Sequence, residues 1–141
     1  MIANLTLTKV LVEKRKDFTG NLNVKKNVKI RDIEEAPLKN IAEEQKALNF
    51  KFQFTLNFDP DIAYVEMLGN ILYLTDGETI KNVIKEWKKD KKINNQISAA
   101  IINRVIKKCD IKALSLCQEL NLPPTIPLPI YVKKSDLNKA S

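Results

Sequence analysis

The sequence predicts an α+β fold in which strands occupy the first half of the chain and helices the second half. Alternation of apolar and polar residues, typical of a strand, is strongest at residues 50–58, where four of the five phenylalanines share one face. From residue 78 onward, apolar residues instead recur at the spacing of an amphipathic helix. Four prolines then follow within residues 123–129, which predicts an extended C-terminal strip.

Length and composition predict one domain without a catalytic centre. At 141 residues the chain is long enough to bury a core, and we expect a single domain over residues 1–131 with a disordered tail at 132–141. The lack of histidine removes the commonest general base and metal ligand, and no nucleotide-binding or hydrolase motif occurs. We therefore expect neither an enzyme nor a bound metal or cofactor.

The N-terminus and the hydropathy pattern predict a cytoplasmic protein. The first residues lack the basic patch and the long apolar core of a signal peptide. No apolar run approaches the roughly 20 residues that a membrane span needs. We therefore expect no membrane insertion.

Two strands are predicted before the phenylalanine-rich strand. Residues 5–12 are rich in leucine, valine and threonine, and residues 13–21 form a charged turn. In the second strand Lys26 interrupts an otherwise apolar face, which indicates a bulge, an edge position or a register change. The acidic and polar residues 32–48 predict a connection, with a short helical turn near 41–46.

The phenylalanine-rich strand and the strand after it form the predicted centre of the sheet. Burial of each large apolar side chain is worth about 1.5–3 kcal/mol, so the phenylalanine face must be covered. A turn at Asp59-Pro60-Asp61 reverses the chain into residues 62–74, whose two apolar faces predict a central strand or a subunit contact. Glu66 within this strand is interpreted as an exposed or lysine-paired side chain rather than a functional carboxylate.

Amphipathic helices are predicted from residue 78. The first covers residues 78–92, with lysines opposite its apolar stripe. A break is expected at Asp110, because an unbroken second helix would bring Lys112 into the apolar arc. Both cysteines fall on the stripes and are expected to be buried thiols. The three stripes are Ile80, Val83, Ile84 and Trp87; Ile97, Ile101, Ile102, Val105 and Cys109; and Ala113, Leu116, Cys117 and Leu120.

An excess of lysine is the main charge signal. The net charge is +7 although the chain has few arginines, and the densest basic cluster lies at residues 81–92 beside the only tryptophan. Trp87 falls on the apolar stripe, away from most of these lysines, which favours a solvated helix face over a nucleic-acid interface. Nucleic acid is therefore not the expected partner, and a polyanion-binding module is kept as an alternative function.

The order of the elements resembles the SecB family of export chaperones, including SecB-like chaperones tied to toxin–antitoxin systems. The resemblance covers residues 5–131: two strands joined by a crossover, the strong strand pair at 50–58 and 62–74, a long apolar helical region, and the leucine- and proline-rich sequence at 120–129. It implies a four-stranded antiparallel sheet with helices on one face, assembled as a dimer or a dimer of dimers. It also implies ATP-independent binding of unfolded or export-bound polypeptides in apolar grooves.

The resemblance further implies where a polypeptide would bind. In the family, the crossover segment and the region after the long helix border the groove. A core or tail-packing role stays open for each matching position, since alternation of apolar residues with prolines also favours packing of the strip on the protein itself. An adaptor for one dedicated partner, such as an antitoxin, is a further alternative. The matching residues are Phe18, Leu22, Ile126, Leu128, Ile130 and Tyr131.

Overall fold

The chain folds into a four-stranded antiparallel sheet with two helices packed on one face. The computed structural model describes residues 1–17, 23–36 and 46–122, and within them no helix is long and apolar enough to cross a membrane. The predicted α+β fold is confirmed, while the C-terminal strip and the predicted tail lie outside the described residues. The elements are β1 (Ile2–Lys14), β2 (Asn23–Ala36), β3 (Lys46–Asp59), β4 (Ala63–Thr75), α1 (Gly77–Asp90) and α2 (Asn95–Glu119), with strand order β1-β4-β3-β2.

The core is built on the phenylalanine face of β3. Val65 and Met67 of β4 pair across the sheet with β3 residues of the same face, and both are fully buried. The buried stripes of the two helices pack into this one core, so the opposite, more polar face of the sheet is the outer one, as expected. The β3 residues of the buried face are each at most 1 % exposed: Phe50, Phe52, Phe54, Leu56 and Phe58.

Gly69 allows close packing at the centre of the sheet. It pairs with Phe52 of β3 on one side and with Leu7 of β1 on the other. A Cβ atom at this position would lie 2.6 Å from Cζ of Phe52, nearer than real Cβ atoms approach another atom. The Phe52 ring therefore occupies the space that a side chain at position 69 would need.

β4 has the central position that its two apolar faces predicted, since it lies between β1 and β3. Glu66 projects from its outer face and accepts hydrogen bonds from Nζ of Lys9 at 3.4 Å and from the hydroxyl of Tyr64 at 2.9 Å. The Tyr64 hydroxyl lowers the pKa of Glu66, and burial together with this bond raises the pKa of Tyr64. The interpretation of Glu66 as a lysine-paired side chain is confirmed.

The predicted connection between β2 and β3 was too long. β2 continues to Ala36, and β3 begins at Lys46, so only the residues between them remain of the connection predicted at 32–48. β2 is an edge strand, and its register shifts between Ile30 and Asp32. The shift lets Ile33 pair with Phe50 in the core and so prolongs the strand beyond its apparent end. Most of the helical turn predicted near 41–46 lies outside the described residues.

The predicted break at Asp110 is wrong, because α2 runs unbroken through it. Lys112 stays exposed beside the buried stripe, and Asp110 is itself buried, at 5 % exposure. Nζ of Lys26 lies 3.0 Å from each carboxylate oxygen of Asp110. A single charged pair therefore accounts for both irregularities, the lysine on the apolar face of β2 and the acid within α2. The stripe repeats every four residues: Ile97, Ile101, Val105, Cys109, Ala113 and Cys117.

Candidate polypeptide-binding surface

The segments predicted to border a groove leave the described structure at the same place. Nζ of Lys14, the last residue of β1, lies 3.3 Å from a carboxylate oxygen of Asp17 and donates to the carbonyl of Leu120 at 3.1 Å. Asp17 is the last described residue before the crossover segment, and Leu120 follows the last turn of α2. Asp17 and Leu120 are therefore both held by Lys14, at one end of β1. All six predicted site residues, Phe18, Leu22, Ile126, Leu128, Ile130 and Tyr131, lie outside the described residues.

An apolar strip runs along β1 on the helix-bearing face of the sheet. Its members pair across the sheet with inward-facing residues of β4, so they project to the same side. Val10 is the most exposed member of the strip. It is 42 % exposed, whereas its partner Met67 is fully buried. The other members are half-buried. We call these residues the β1 strip: Ile2, Leu5, Leu7, Val10 and Val12.

The strip is only partly covered, because the helices lie over β2, β3 and β4 on the same face of the sheet. α1 packs mainly on β2 and β3, and α2 packs on β2, β3 and β4. β1 lies beyond β4, at the sheet edge. One exposed apolar residue in a row of half-buried ones makes this edge of the sheet a candidate contact surface.

The backbone of β1 adds a second kind of binding group. Within the described part of the chain, β1 pairs along one side only, with β4. An edge strand presents N–H and C=O groups that an extended peptide can pair with, while pockets for alternate side chains supply selectivity. The free edge and the β1 strip therefore offer complementary contacts to one extended polypeptide.

A smaller apolar patch lies on α2. Ile111 is 56 % exposed, and three further apolar residues beside the buried stripe are half-buried. Together they leave part of the helix apolar where it does not face the sheet. We call these residues the α2 patch: Ile102, Ile106, Ile111 and Leu114.

Most lysines of the basic cluster at residues 81–92 lie away from the tryptophan, as the stripe predicted. Trp87 is buried at 8 % exposure, and its Nε1 donates to a carboxylate oxygen of Asp32 at 3.3 Å. Only Lys91 approaches the ring among the described residues, with Nζ 5.0 Å from the ring centroid. Trp87 is therefore not available to stack on a nucleic-acid base.

The cysteines belong to the core. Cys109 and Cys117 are buried free thiols on the α2 stripe, as predicted. Burial raises the pKa of Cys109 to about 12, with a smaller contribution from the Asp110 carboxylate, and burial also raises the pKa of Cys117. Among residues 1–17, 23–36 and 46–122, no three cysteine or acidic side chains cluster closely enough to hold a metal ion.

Sequence reasoning missed the β1 strip as a surface, although its signal was present. Leu5 and Leu7 alternate in one phase and Val10 and Val12 in the other, and the register of β1 shifts between Leu7 and Lys9. The extra residue, Thr8, brings both pairs onto the same face. A change of phase inside one apolar segment is the sequence signal of such a continuous face.

Comparison with known proteins finds a similar fold among solved structures. No family model matches the chain, and no curated protein matches it significantly. Among solved structures, the chain is similar to the Mycobacterium tuberculosis SecB-like chaperone Rv1957, in complex with a ChAD peptide from the Rv1956 HigA1 antitoxin. The sequences are 11 % identical, the TM-score is 0.57, and the match covers 94 % of this chain and 88 % of that chain. This chain therefore shares its fold with a SecB-like chaperone.

Proposed function

We propose that this chain is a cytoplasmic, ATP-independent holdase that binds unfolded or export-bound polypeptides along β1. The observation that carries the proposal is the β1 strip, five aliphatic side chains on the core face of the sheet that the helices leave partly exposed. The fold shared with a peptide-bound SecB-like chaperone supports it. The proposed activity is binding rather than catalysis.

The proposed mechanism uses only the backbone groups and apolar side chains that a client exposes when unfolded and buries when folded. An unfolded polypeptide offers backbone groups to the β1 edge and places every second side chain over the β1 strip. Each Å² of apolar surface removed from water contributes about 25 cal/mol, which offsets part of the loss of freedom on association. Release follows when the client folds and buries those side chains, which requires no nucleotide. The residues Phe18, Leu22, Ile126, Leu128, Ile130 and Tyr131 are proposed to contribute from the bordering segments.

The positive charge supports solubility in this proposal. A net charge of +7 makes copies of the chain repel one another, which opposes aggregation through the exposed apolar residues. The charge raises the rate of encounter with acidic segments but does not select among clients.

We further propose that the chain forms a homo-oligomer, a dimer or a dimer of dimers. The α2 patch supports this, because an apolar patch on a helix that faces away from its own sheet is suited to contact with another copy. Self-association through this patch would bury Ile111.

A dedicated adaptor is the second candidate, favoured by the antitoxin peptide bound to the structural neighbour. A general holdase and an adaptor differ in the number of partners. Recovery of a single protein with the tagged chain from its own cells would favour the adaptor, and recovery of many would favour the holdase. A polyanion-binding module would instead retain nucleic acid at physiological salt, where weak phosphate contacts fade steeply.

The holdase proposal is tested by aggregation of a chemically denatured protein diluted into buffer with increasing amounts of this chain. Suppression is expected at near-stoichiometric ratios without ATP, and addition of ATP should leave the curve unchanged. A folded basic protein of similar mass and net charge is the control for nonspecific charge effects. Aggregation that proceeds unchanged over the whole range of ratios refutes the proposal.

A further inference from the structure

We propose that β1 binds antiparallel client segments in which the same residues supply both the backbone hydrogen bonds and the side chains over the β1 strip. The client residues between them supply neither. This selection rule rests on the proposed function and deepens it, because it assigns the contacts of the client residue by residue.

The hydrogen bonds at the two ends of β1 show which residues direct their backbone toward β4. At the start, the N–H of Leu74 donates to the carbonyl of Met1 at 2.7 Å, and the Met1 amino group donates to the carbonyl of Leu74 at 2.8 Å. At the end, the N–H of Arg15 donates to the carbonyl of Ile62 at 2.7 Å. Residue pairs of an antiparallel ladder alternate between bonded and non-bonded. Both ends therefore indicate that the even-numbered residues of β4 are the ones bonded to β1.

The members of the β1 strip pair with odd-numbered, non-bonded residues of β4. Val10 pairs with Met67, and Val12 pairs with Val65. Their N–H and C=O groups therefore point away from β4, toward the edge that has no strand partner among the described residues. The two register shifts keep this phase, because each adds one residue to β1 alone. The same holds for Ile2, Leu5 and Leu7, whose partners are Tyr73, Ile71 and Gly69.

Antiparallel pairing extends this arrangement to the client. Two residues that exchange both bonds in an antiparallel pair lie directly opposite each other, with their side chains on the same face. A client residue bonded to Val10 therefore places its side chain beside Val10. In a parallel pair, the bonded client residues would direct their side chains to the outer face instead. All strand pairs of the described sheet are antiparallel, and this pairing is the more stable kind.

The bulge at Thr8 limits the length of client that can pair without interruption. The longest run of residues with backbone groups at the free edge is Val10, Val12 and Lys14. A client core of about five residues, with apolar side chains at its first, third and fifth positions, matches this run. Proline at one of these positions removes an N–H that bonds to β1. Proline at the second or fourth position removes an N–H that points away from β1.

Amide hydrogen exchange of the full chain, followed for each residue by NMR, tests the assignment of the free edge. In the empty protein the amides of Val10 and Val12 should exchange faster than those of Leu11 and Glu13, which bond to β4. Addition of an alternating peptide should slow the exchange of Val10 and Val12 only. Uniform exchange along β1, or slow exchange of Val10 and Val12 before a peptide is added, overturns the proposal.

Two isomeric peptides test the selection rule through fluorescence anisotropy. Both contain three valines that alternate with two threonines, flanked by glutamates for solubility. One isomer carries N-methyl groups on two of the valines, and the other carries them on the two threonines. Methylation of the valines should weaken binding about tenfold relative to the unmethylated peptide, because two hydrogen bonds to β1 are lost. Methylation of the threonines should leave binding within about twofold.

The aggregation assay separates this rule from the proposed function. The rule is overturned, and the holdase stands, if aggregation is suppressed but the two isomers lose equal affinity or the threonine isomer loses more. Suppression without binding of the unmethylated peptide has the same meaning. Absence of suppression refutes the holdase, whereas selective loss of binding by the valine isomer would still support the contact with β1.

Discussion

Lys26 and Asp110 show how a contact between distant residues can produce two misleading local signals. The lysine interrupts an apolar strand face, and the acid resembles a helix start, yet the two form one pair across 84 positions of sequence. The loss of hydration offsets much of the attraction in such a pair, so its main effect is to fix the position of α2 on the sheet. Loss of only one partner leaves the other charged group without its pair and lowers the stability of the fold.

We expect Lys26→Ala to lower the free energy of unfolding by about 1–3 kcal/mol, because it leaves the Asp110 carboxylate buried without its partner. The comparison is Lys25→Ala, which removes a side chain that is 70 % exposed and lies 3.7 Å from Asp59. Exposed pairs of that kind contribute about 0–1 kcal/mol. Urea unfolding of both variants measures the difference, and equal losses would contradict the role assigned to the buried pair.

Gly69→Ala should lower the melting temperature, because the new methyl group collides with the Phe52 ring and the β1 backbone. Overpacking at such a site costs about 1–3 kcal/mol. Gly77→Ala is the control, since a Cβ there would meet Lys46 at an ordinary 3.6 Å. Thermal unfolding followed by circular dichroism should separate the two variants, and a tolerated alanine at position 69 would show that Phe52 is not packed as described.

Cys109 should make the fold sensitive to alkali. Its pKa is raised to about 12 in the folded chain, against about 8.5 for an unfolded thiol. The folded state therefore favours the protonated thiol. The stabilisation from burying this thiol is complete below the unfolded pKa and is lost as the pH rises toward about 12. Urea midpoints at about pH 7 and about pH 10 should differ less for Cys109→Ala than for the natural chain. An identical pH dependence in the natural chain and in Cys109→Ala would contradict the burial of the Cys109 thiol.

At the scale of elements, the parts that could be predicted are those whose pattern is local and unbroken. β3 alternates without interruption, so its buried face was predicted from the residues alone, and the two apolar faces of β4 predicted a central strand as one of two alternatives. The continuity of α2 could not be predicted, because the lysine that satisfies Asp110 lies on another element. The continuous apolar face of β1 had a sequence signal, but its exposure could not be predicted, since the exposure depends on where the helices lie. The six predicted site residues, in segments beyond the described ones, remain predictions.

The α2 patch gives a prediction for assembly. We expect Ile111→Lys to reduce the native mass measured by light scattering, because it places a charge on the most exposed apolar residue of α2, at 56 % exposure. Asn82→Lys adds the same charge on the exposed face of α1 and should leave the mass unchanged. A natural chain that is already monomeric, or equal masses for the two variants, would contradict assembly through this patch.

At the scale of the whole molecule, the fold separates stability from binding. The helices and the two central strands bury the phenylalanine face, and β1 stays at the edge with its apolar side chains only partly covered. A lysine-rich exterior opposes nonspecific aggregation through such a surface. This division lets the binding surface change its occupant while the core remains packed.

The most direct test of the account is the binding of a permanently unfolded polypeptide, such as a reduced and alkylated protein, measured by fluorescence anisotropy. The natural chain should bind at near-stoichiometric ratios, and Val10→Lys should weaken binding about tenfold by placing a charge in the β1 strip. Thr6→Lys, which adds the same charge on the exposed outer face of β1, should bind as the natural chain does. No binding by the natural chain, or equal binding by the two lysine variants, would contradict a polypeptide-binding role for the β1 strip.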